Sequence, residues 1–530
     1  MPEYLSPGVY IEEVEIGAKP IEGMSTSTAG FIGMAERGTE KPMLVTGFDD
    51  FQRKFGTYIE GSYLAYAVYG FFKNGGQRCF ISRIIKDANT SAKASLTRND
   101  VTFETIGRGA WGNSVAIRID DASLSGIVTN LFKLTVIFWS NNTLQASDLV
   151  PTAGGDPISV QVEKLKGRSG VVVEEYDNLS IDPQSPDYFV KKVNPLSNLI
   201  AAKYTGAAPA VPPNTGPPAT ADVLFETLAG GTDGAGSLSP SDFVGANTKG
   251  SRTGLHAFEE IEEISILYLP DVHMLNDQDS DSTVKEAITH CETLKSRVLI
   301  IDAKLGSQDI STLSPPSPTS KYAAFYYPWI QAYDPLNKRQ KMLPPGGFIA
   351  GIYARSDTER GVHKAPANEV VKSATGVEFT VTKPEQDMLN PRGVNCIRVF
   401  QGKGIVLWGA RTTIRDPLWK YVNVRRLFIY LEESIKQGTQ WVVFEPNNEK
   451  LWARVKQTIS QFLTRVWRDG ALMGLTAEQA FFVKCDRTTM TQDDLDNGRL
   501  IVLIGVAPVK PAEFVIFRIA QWAGGSAATE

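Results

Sequence analysis

Residues 264–302 read ISILYLPDVHMLNDQDSDSTVKEAITHCETLKSRVLIID, and this stretch decides the fold class. Two apolar runs, ISILYLPD and RVLIID, flank the segment TVKEAITHCETL, which reads as a helix. Short apolar runs that are separated by a helix are typical of parallel strands buried on both faces of a sheet. The stretch therefore predicts a strand, a helix and a second strand that belong to a wound parallel sheet.

The same order of elements precedes and follows this stretch. Between residues 25 and 85 the runs TAGFIGMAERG, MLVTGFDDFQRKFG and CFISRI predict strands, and SYLAYAVYGFFKNGG predicts a helix with Ser62 as its cap. After residue 390, GVNCIRVF, GIVLWGARTT and TQWVVFEP predict strands. Between the last two lies a predicted helix, VRRLFIYLEESIKQG, with Asn423 as its cap. Two further strands are predicted in the closing run GRLIVLIGVAPVKPAEFVIFRIAQW.

Residues 96–245 have a different texture. The segments VTFETIG, SVAIRID, LFKLTVIFW and SVQVEKL are short and rich in β-forming residues, and a Pro/Ala/Gly-rich stretch follows them. They predict a small β-rich unit inserted into the first domain.

Composition bounds the class of protein. The chain has 530 residues, of which 42% are hydrophobic and 21% charged, as expected of a globular protein with two to four domains. A net charge of -5 argues against a generic polyanion binder. No apolar run approaches the ~20 residues that a membrane span requires, and no secretory signal precedes the first domain. The four cysteines are widely spaced and predict reduced, buried thiols.

Enzyme signatures fail when they are tested one by one. The sequence has no GxxxxGK[ST], no GxGxxG after a strand and no HExxH, so neither a nucleotide cofactor nor a metal is expected. A serine hydrolase is the most tempting reading, because Asp271 and Asp302 end strands and the glycine pair of PPGGFIAGIYAR begins a helix. The first serine after that pair is Ser356, about three turns into the helix, so no nucleophile is available at its start.

A long helix predicted from Glu449 to Asp469, with Asn447 or Asn448 as its cap, carries two contrasting stripes. One is apolar, and the other contains no acid and consists of Lys450, Arg454, Gln457, Gln461, Arg465 and Arg468. This second stripe, called the basic stripe below, is either a solvated face or a docking surface for an acidic partner. Nucleic acid is a weaker candidate, because no reader motif accompanies it.

The first residues, MPEYLSPGVYIEEVEIG, predict a strand with no neighbouring hairpin partner. An unpaired strand at a chain end is an aggregation hazard unless another chain pairs with it.

At this point several stretches resemble the family of contractile tail sheath proteins of phage tails and phage-tail-like injection systems. TAGFIGMAERGTEKPMLVTGFDDFQRKFG resembles the N-terminal signature of the family, and LAGGTDG, DFVGA and RTGLHAFEEIEEISILYLPD resemble its central domain. VNCIRVFQGKGIVLWGARTT, VNVRRLFIYLEESI and NGRLIVLIGVAPVKPAEFVIFRI resemble its C-terminal domain. The order of these motifs along the chain makes the resemblance strong.

The resemblance implies a multidomain α/β architecture. It comprises an extended arm (residues 1–20), a subtilisin-like central domain without a catalytic site (21–95 plus 246–378), and an outer β-rich insertion (96–245). A C-terminal domain that faces an inner tube (379–510) and a C-terminal arm (511–530) complete it. Hexameric rings would stack around the tube and contract to drive it through a cell envelope. The resemblance also implies a structural protein without enzymatic activity or cofactor.

The resemblance further implies partners: other copies of the chain, the inner tail tube protein, the baseplate and the terminator or cap proteins, with no nucleic acid and no membrane insertion. Assembly is expected in the host cytoplasm. The basic stripe becomes the expected tube contact, and the arms are expected to add strands to neighbouring subunits. Their residues are Val9, Tyr10, Ile11, Val14 and Ile16 at one end and Phe514, Val515, Ile516, Phe517 and Ile519 at the other, with a hinge from Gly17 to Pro20. The alternatives are a non-contractile shell or surface-layer subunit and, less favoured, a hydrolase.

Overall fold

A computed structural model gives the fold. It describes residues 20–516 except 126, 129, 141–157, 167, 169, 207–210, 213 and 216–224, and it also describes residue 518. The N-terminal arm residues Val9, Tyr10, Ile11, Val14 and Ile16, the hinge residue Gly17, and Phe517 and Ile519 lie outside the described residues.

The described strands, in chain order, are β1 Ala29–Gly33, β2 Met43–Val45, β3 Cys79–Arg83, β4 Ser95–Arg98, β5 Val101–Thr105, β6 Val115–Asp121, β7 Leu131–Trp139, β8 Val171–Ser180, β9 Ile200–Tyr204, β10 Glu226–Thr227, β11 Ile266–Tyr268, β12 Val298–Asp302, β13 Ala323–Tyr327, β14 Ile330–Asp334, β15 Arg339–Leu343, β16 Glu369–Val370, β17 Gly376–Val377, β18 Val394–Phe400, β19 Gly404–Leu407, β20 Phe481–Lys484 and β21 Leu503–Val506. The helices are α1 Phe48–Phe55, α2 Leu64–Lys73, α3 Ile158–Leu165, α4 Phe189–Val193, α5 Pro240–Val244, α6 Gly254–Ala257, α7 Asp277–Leu294, α8 Gly346–Arg360, α9 Lys383–Leu389, α10 Val422–Gly438, α11 Glu449–Arg468, α12 Ala477–Ala480 and α13 Gln492–Asp496.

The chain divides into two compact units. The main unit contains Met24–Val362 and Pro366–Glu433, and the C-terminal unit contains the segment up to Gly23, His363–Ala365 and the chain from Ser434 onward.

The main unit is organised around a nine-stranded sheet in the order β16-β19-β18-β13-β12-β11-β1-β3-β2. The strands from β18 to β3 in this order pair in parallel, as the sequence predicts for β11 and β12. Antiparallel pairs add β19 and β16 at one edge and β2 at the other. The strands β18 and β19 therefore lie in the main sheet, although they follow the domain boundary expected at residue 379.

Side chains of the central strands alternate between two apolar cores. Phe31, Tyr268 and Tyr326 point to the side covered by α2 and α8, whereas Leu267 and Phe325 point to the side covered by α7. Because both faces are buried, these strands read as nearly continuous apolar runs in the sequence.

The glycine-rich start of α8 is a packing surface. A Cβ on Gly347 would lie 2.4 Å from the Cα of Ala67, and one on Gly351 would lie 2.4 Å from the carbonyl oxygen of Phe71, both in α2. Since Cβ atoms do not approach other heavy atoms this closely, the glycines allow the two helices to touch backbone to backbone.

The region from residue 95 to residue 227 forms two small antiparallel sheets, β10-β6-β7-β8 and β4-β5-β9, around an apolar core of their own. One expectation about it is wrong: SVQVEKL belongs to α3 and not to a strand. An alternating apolar run of this length fits either structure, and Val162 and Leu165 of the helix here belong to a second, smaller apolar cluster with Ala116, Ile137 and Trp139.

Three expectations about the last part of the chain also need correction. The residue Asn423 lies inside α10 and does not cap it, because the helix begins at Val422. The segment TQWVVFEP contains a short 3-10 turn, Gln440–Val442, in place of a strand. Of the two closing strands, β21 forms, whereas residues 511–516 adopt no regular secondary structure.

None of the described helices combines the length with the apolar character that crossing a membrane demands.

Candidate functional site

The helix α11 of the C-terminal unit carries the basic stripe. It begins as the sequence predicts, because the Asn448 side chain accepts hydrogen bonds from the backbone N–H groups of Lys450 and Leu451, both at 3.1 Å. Its apolar face is buried and contains Leu451, Trp452, Val455, Ile459, Phe462, Leu463 and Val466. All six residues of the basic stripe are exposed: Lys450, Arg454, Gln457, Gln461, Arg465 and Arg468. The structure therefore confirms the amphipathic helix and leaves the partner of its polar face open.

The two halves of the basic stripe have different surroundings. In the N-terminal half, the guanidinium of Arg454 lies over the ring of Trp441, 4.3 Å from the ring centroid. In the C-terminal half, Arg465 Nη2 donates a hydrogen bond to the carbonyl oxygen of Ile21. An open groove of about 530 Å³ beside Pro20 and Ile21 is lined by residues of α11, among them Gln457, Gln461, Arg465 and Arg468. The C-terminal half of the basic stripe, which is predicted to contact the tube, therefore already binds the segment around Ile21 of the same chain.

The second candidate surface is the pair of strands β20 and β21, which are antiparallel and join Phe482 to Gly505 and Lys484 to Leu503. The side chains of Phe482 and Leu503 on this sheet are 48% and 52% exposed. A two-stranded sheet with an exposed apolar face is marginally stable in water on its own. The sequence did not predict this surface, because FFVK lacks the alternation of apolar and polar residues that indicates a half-exposed strand.

The C-terminal arm residues that the structure describes follow this sheet. Phe514, Val515 and Ile516 are 71%, 68% and 79% exposed. Three consecutive large apolar side chains in water are unfavourable by roughly 1.5–3 kcal/mol each, compared with full burial. Together these three side chains form an exposed apolar surface that another chain could bury.

The residues of the hydrolase alternative do not assemble into a triad. Asp271 accepts hydrogen bonds from the backbone N–H groups of Tyr63 (2.5 Å) and Met34 (2.6 Å) and from the Ser62 hydroxyl (2.9 Å), so it joins chain segments. Burial raises its pKa to about 6, and these donors oppose the rise. Ser356 is 2% exposed within α8, where no substrate can reach it.

Asp302 accepts hydrogen bonds from the Tyr268 hydroxyl (2.5 Å) and the Gly346 N–H (3.2 Å), and His273 Nε2 lies 3.8 Å from its carboxylate. Among the residues that the structure describes, no serine hydroxyl forms a hydrogen bond with His273 Nε2, so the pair is not extended to a triad. Within the described ranges, no three His, Cys, Asp or Glu side chains come together as metal ligands do. All four cysteines, Cys79, Cys291, Cys396 and Cys485, are free and buried, as the sequence predicts.

Comparison with protein families gives two matches. Residues 245–413 match the phage tail sheath protein central domain, and residues 415–521 match the phage tail sheath C-terminal domain. The two matched regions together cover more than half of the chain.

Individual relatives agree with these matches. The tail sheath protein of Burkholderia phage BcepMu is 22% identical over 514 residues, which cover 93% of this chain and 92% of that protein. The tail sheath protein of Enterobacteria phage T4 is 26% identical over 216 residues, or 39% of this chain and 31% of that protein.

Solved structures share the fold. The helical sheath of the anti-feeding prophage in its contracted state has a TM-score of 0.56 at 23% identity, covering 98% of this chain and 99% of that one. The contracted sheath of the PVC extracellular contractile injection system has a TM-score of 0.57 at 21% identity, covering 99% of each chain. A crystal structure of a sheath tail protein from Listeria innocua has a TM-score of 0.58 at 11% identity, covering 92% and 96%.

The family is structural and not enzymatic, which agrees with the missing nucleophile and corrects the hydrolase alternative. With its α/β architecture, its two matched domains and a relative that aligns along nearly its whole length, the chain belongs to the contractile tail sheath protein family.

Proposed function

We propose that this chain polymerises as hexameric rings stacked around an inner tube, and that the stack contracts to drive the tube through a target envelope. The observation that carries the proposal is the two-stranded sheet of the C-terminal unit, in which β20 and β21 expose the apolar side chains of Phe482 and Leu503. Monomeric proteins rarely leave such a surface uncovered, and additional strands from another copy would cover it.

The arms are the proposed source of these strands. The N-terminal arm contributes Val9, Tyr10, Ile11, Val14 and Ile16, and the C-terminal arm contributes Phe514, Val515, Ile516, Phe517 and Ile519. Main-chain hydrogen bonds to an open sheet edge give affinity, and side chains that fit an apolar face give specificity. Because such a link is continuous with the chain, it stays paired while the subunits move.

The basic stripe is the proposed contact with the inner tail tube protein, through Lys450, Arg454, Gln457, Gln461, Arg465 and Arg468. An exposed ion pair contributes about 1 kcal/mol or less, so several of them hold the register of a surface and still release it. A tube that slides free of its sheath requires a contact of this kind.

Contraction is proposed as a rigid-body rearrangement. The main unit suits it, because its sheet is buried on both faces by α2, α8 and α7 and resists internal deformation. We propose that this unit corresponds to the subtilisin-like central domain of the family. The free energy for contraction is stored during assembly against the tube and the baseplate, in the host cytoplasm, and a terminator or cap protein closes the far end.

Electron microscopy of the purified full chain tests the proposal. Striated tubes, or short wide contracted ones, support it, whereas flat sheets or closed shells would favour a surface-layer or shell subunit. Deletion of residues 1–16 should leave a folded protein that no longer forms tubes, because the donor strand is gone. Tubes of normal length and stability from the deleted chain would contradict the role of the arm.

The tube contact has a separate test, which uses co-expression with the tube protein. Reversing the charges of Arg454 and Arg468 together should abolish co-assembly while polymerisation of the sheath chain alone survives. The double substitution of both residues by lysine is the matched control, because it keeps the charge and the helix. Co-assembly of the charge-reversed variant at the normal level would remove the basic stripe from the interface.

A further inference from the structure

The short segment that leads from the N-terminal arm into the folded body has one buried side chain. Pro20, Glu22 and Gly23 are exposed, whereas Ile21 between them is only 1% exposed. An isolated buried apolar side chain in an exposed segment is a point of attachment, because burying it contributes free energy that its neighbours do not. Ile21 is therefore where the described part of this segment is fastened to the C-terminal unit.

The residue that receives Ile21 is Gly438, the last residue of α10. A Cβ built on Gly438 would lie 2.5 Å from Cγ1 of Ile21 and 2.8 Å from its Cγ2. Because real Cβ contacts are essentially never below 3.0 Å, any larger residue at position 438 displaces Ile21. In the sequence, Gly438 is simply the last residue of the predicted helix VRRLFIYLEESIKQG, and the structure gives it a second role.

Arg465 supplies the polar half of the attachment. Its Nη2 donates a hydrogen bond to the backbone carbonyl oxygen of Ile21, across 444 positions of sequence. A charged donor makes this bond stronger than one between neutral groups. Arg465 is exposed, so its guanidinium is held by this contact and not by burial in the core.

We infer that Gly438 and Arg465 anchor the root of the N-terminal arm at Ile21. Force carried by the arm then enters the folded body through α10 and α11. Arg465 is then a positioning residue for the arm, a task that it has in addition to the tube contact proposed above for the basic stripe. The importance of the anchor for assembly rests on the proposed sheath function, whereas the anchor itself can be measured in the unassembled chain.

A spin label at position 22 measures the anchor. The full chain with Glu22→Cys takes a nitroxide at that position, because the four natural cysteines are buried, and the chain without this substitution provides the background. An anchored root gives an immobilised spectrum. Adding Arg465→Met or Gly438→Ala should lower the ratio of immobilised to mobile label about tenfold, the loss expected for a charged hydrogen bond or a displaced side chain.

Two matched variants make the result specific. Arg454→Met removes an exposed arginine from the same stripe of α11 and should leave the spectrum unchanged. Arg465→Lys retains a charged donor and should restore most of the immobilised signal. An unchanged spectrum in Arg465→Met, or an equal loss in Arg454→Met, would overturn the anchor.

The assembly assay separates this inference from the proposed function. If the chain lacking residues 1–16 still forms normal tubes, the strand-exchange role of the arm fails while the anchor measured by the label stands. If the label shows no anchor but the deleted chain loses assembly, the anchor fails and the arm stands.

Discussion

Substituting one member of a buried ion pair in the main unit should lower the free energy of unfolding strongly. Arg426 of α10 and Asp357 of α8 form two hydrogen bonds, Nη1 to Oδ1 at 2.9 Å and Nη2 to Oδ2 at 2.5 Å. Their side chains are only 2% and 5% exposed. The same Nη2 donates to the carbonyl oxygen of Thr26 at 2.9 Å, so the pair joins two helices to the segment before β1.

The perturbation is Arg426→Met, which keeps the length of the side chain and removes its charge. The substitution removes the opposite charge from the buried Asp357 carboxylate, which keeps the hydrogen bond from the Thr26 hydroxyl at 2.6 Å, so the free energy of unfolding should fall by about 3 kcal/mol. The double variant Arg426→Met with Asp357→Leu removes both charges and should recover at least half of that loss. The reason is that a buried pair replaced by apolar groups costs far less than a broken one.

Urea unfolding of the full chain, followed by circular dichroism, measures both effects from the transition midpoint at constant slope. Arg454→Met is the matched control, an exposed arginine whose loss removes only its contact with the Trp441 ring and should change the free energy of unfolding by about 1 kcal/mol or less. A loss below about 1 kcal/mol in Arg426→Met, or a double variant as unstable as the sum of its single variants, would refute the reasoning.

Three further outcomes are expected. Burial raises the pKa of Asp271 from 3.8 to about 6, so its protonation stabilises the folded chain below about pH 4, and this contribution is lost as the pH rises through about 6. Asp271→Asn should therefore flatten this part of a plot of the free energy of unfolding against pH. Asn448→Ala should lower the free energy of unfolding by about 1 kcal/mol in urea melts, because α11 loses its cap, while Asn448→Ser should not. Leu503→Asp should abolish tube formation in electron micrographs without changing the melting curve, since the side chain is 52% exposed. Lys484→Gln, at the residue paired with Leu503, is the control, and tubes of normal length in Leu503→Asp would contradict the proposed acceptor sheet.

The sequence alone determined those elements whose deciding residues all lie within one short segment. The runs that became β11 and β12 are buried on both faces, so their apolar character does not depend on which neighbour covers them. The cap at Asn448 and the apolar face of α11 were also readable, because the residues concerned lie within a few turns of one another. The family could be recognised for the same reason: its motifs are local and keep their order.

Tertiary structure decided the rest, because the deciding contacts join residues far apart in sequence. TQWVVFEP has the composition of a strand, but Phe444 within it adopts a positive φ of 69° and is fully exposed, and no strand forms there. In the same way, the pattern of α11 gave Arg454 and Arg465 equal roles on one polar stripe. Only the folded chain brings Ile21 to Gly438 and Arg465, and a local pattern carries no signal of a contact made across more than 400 residues.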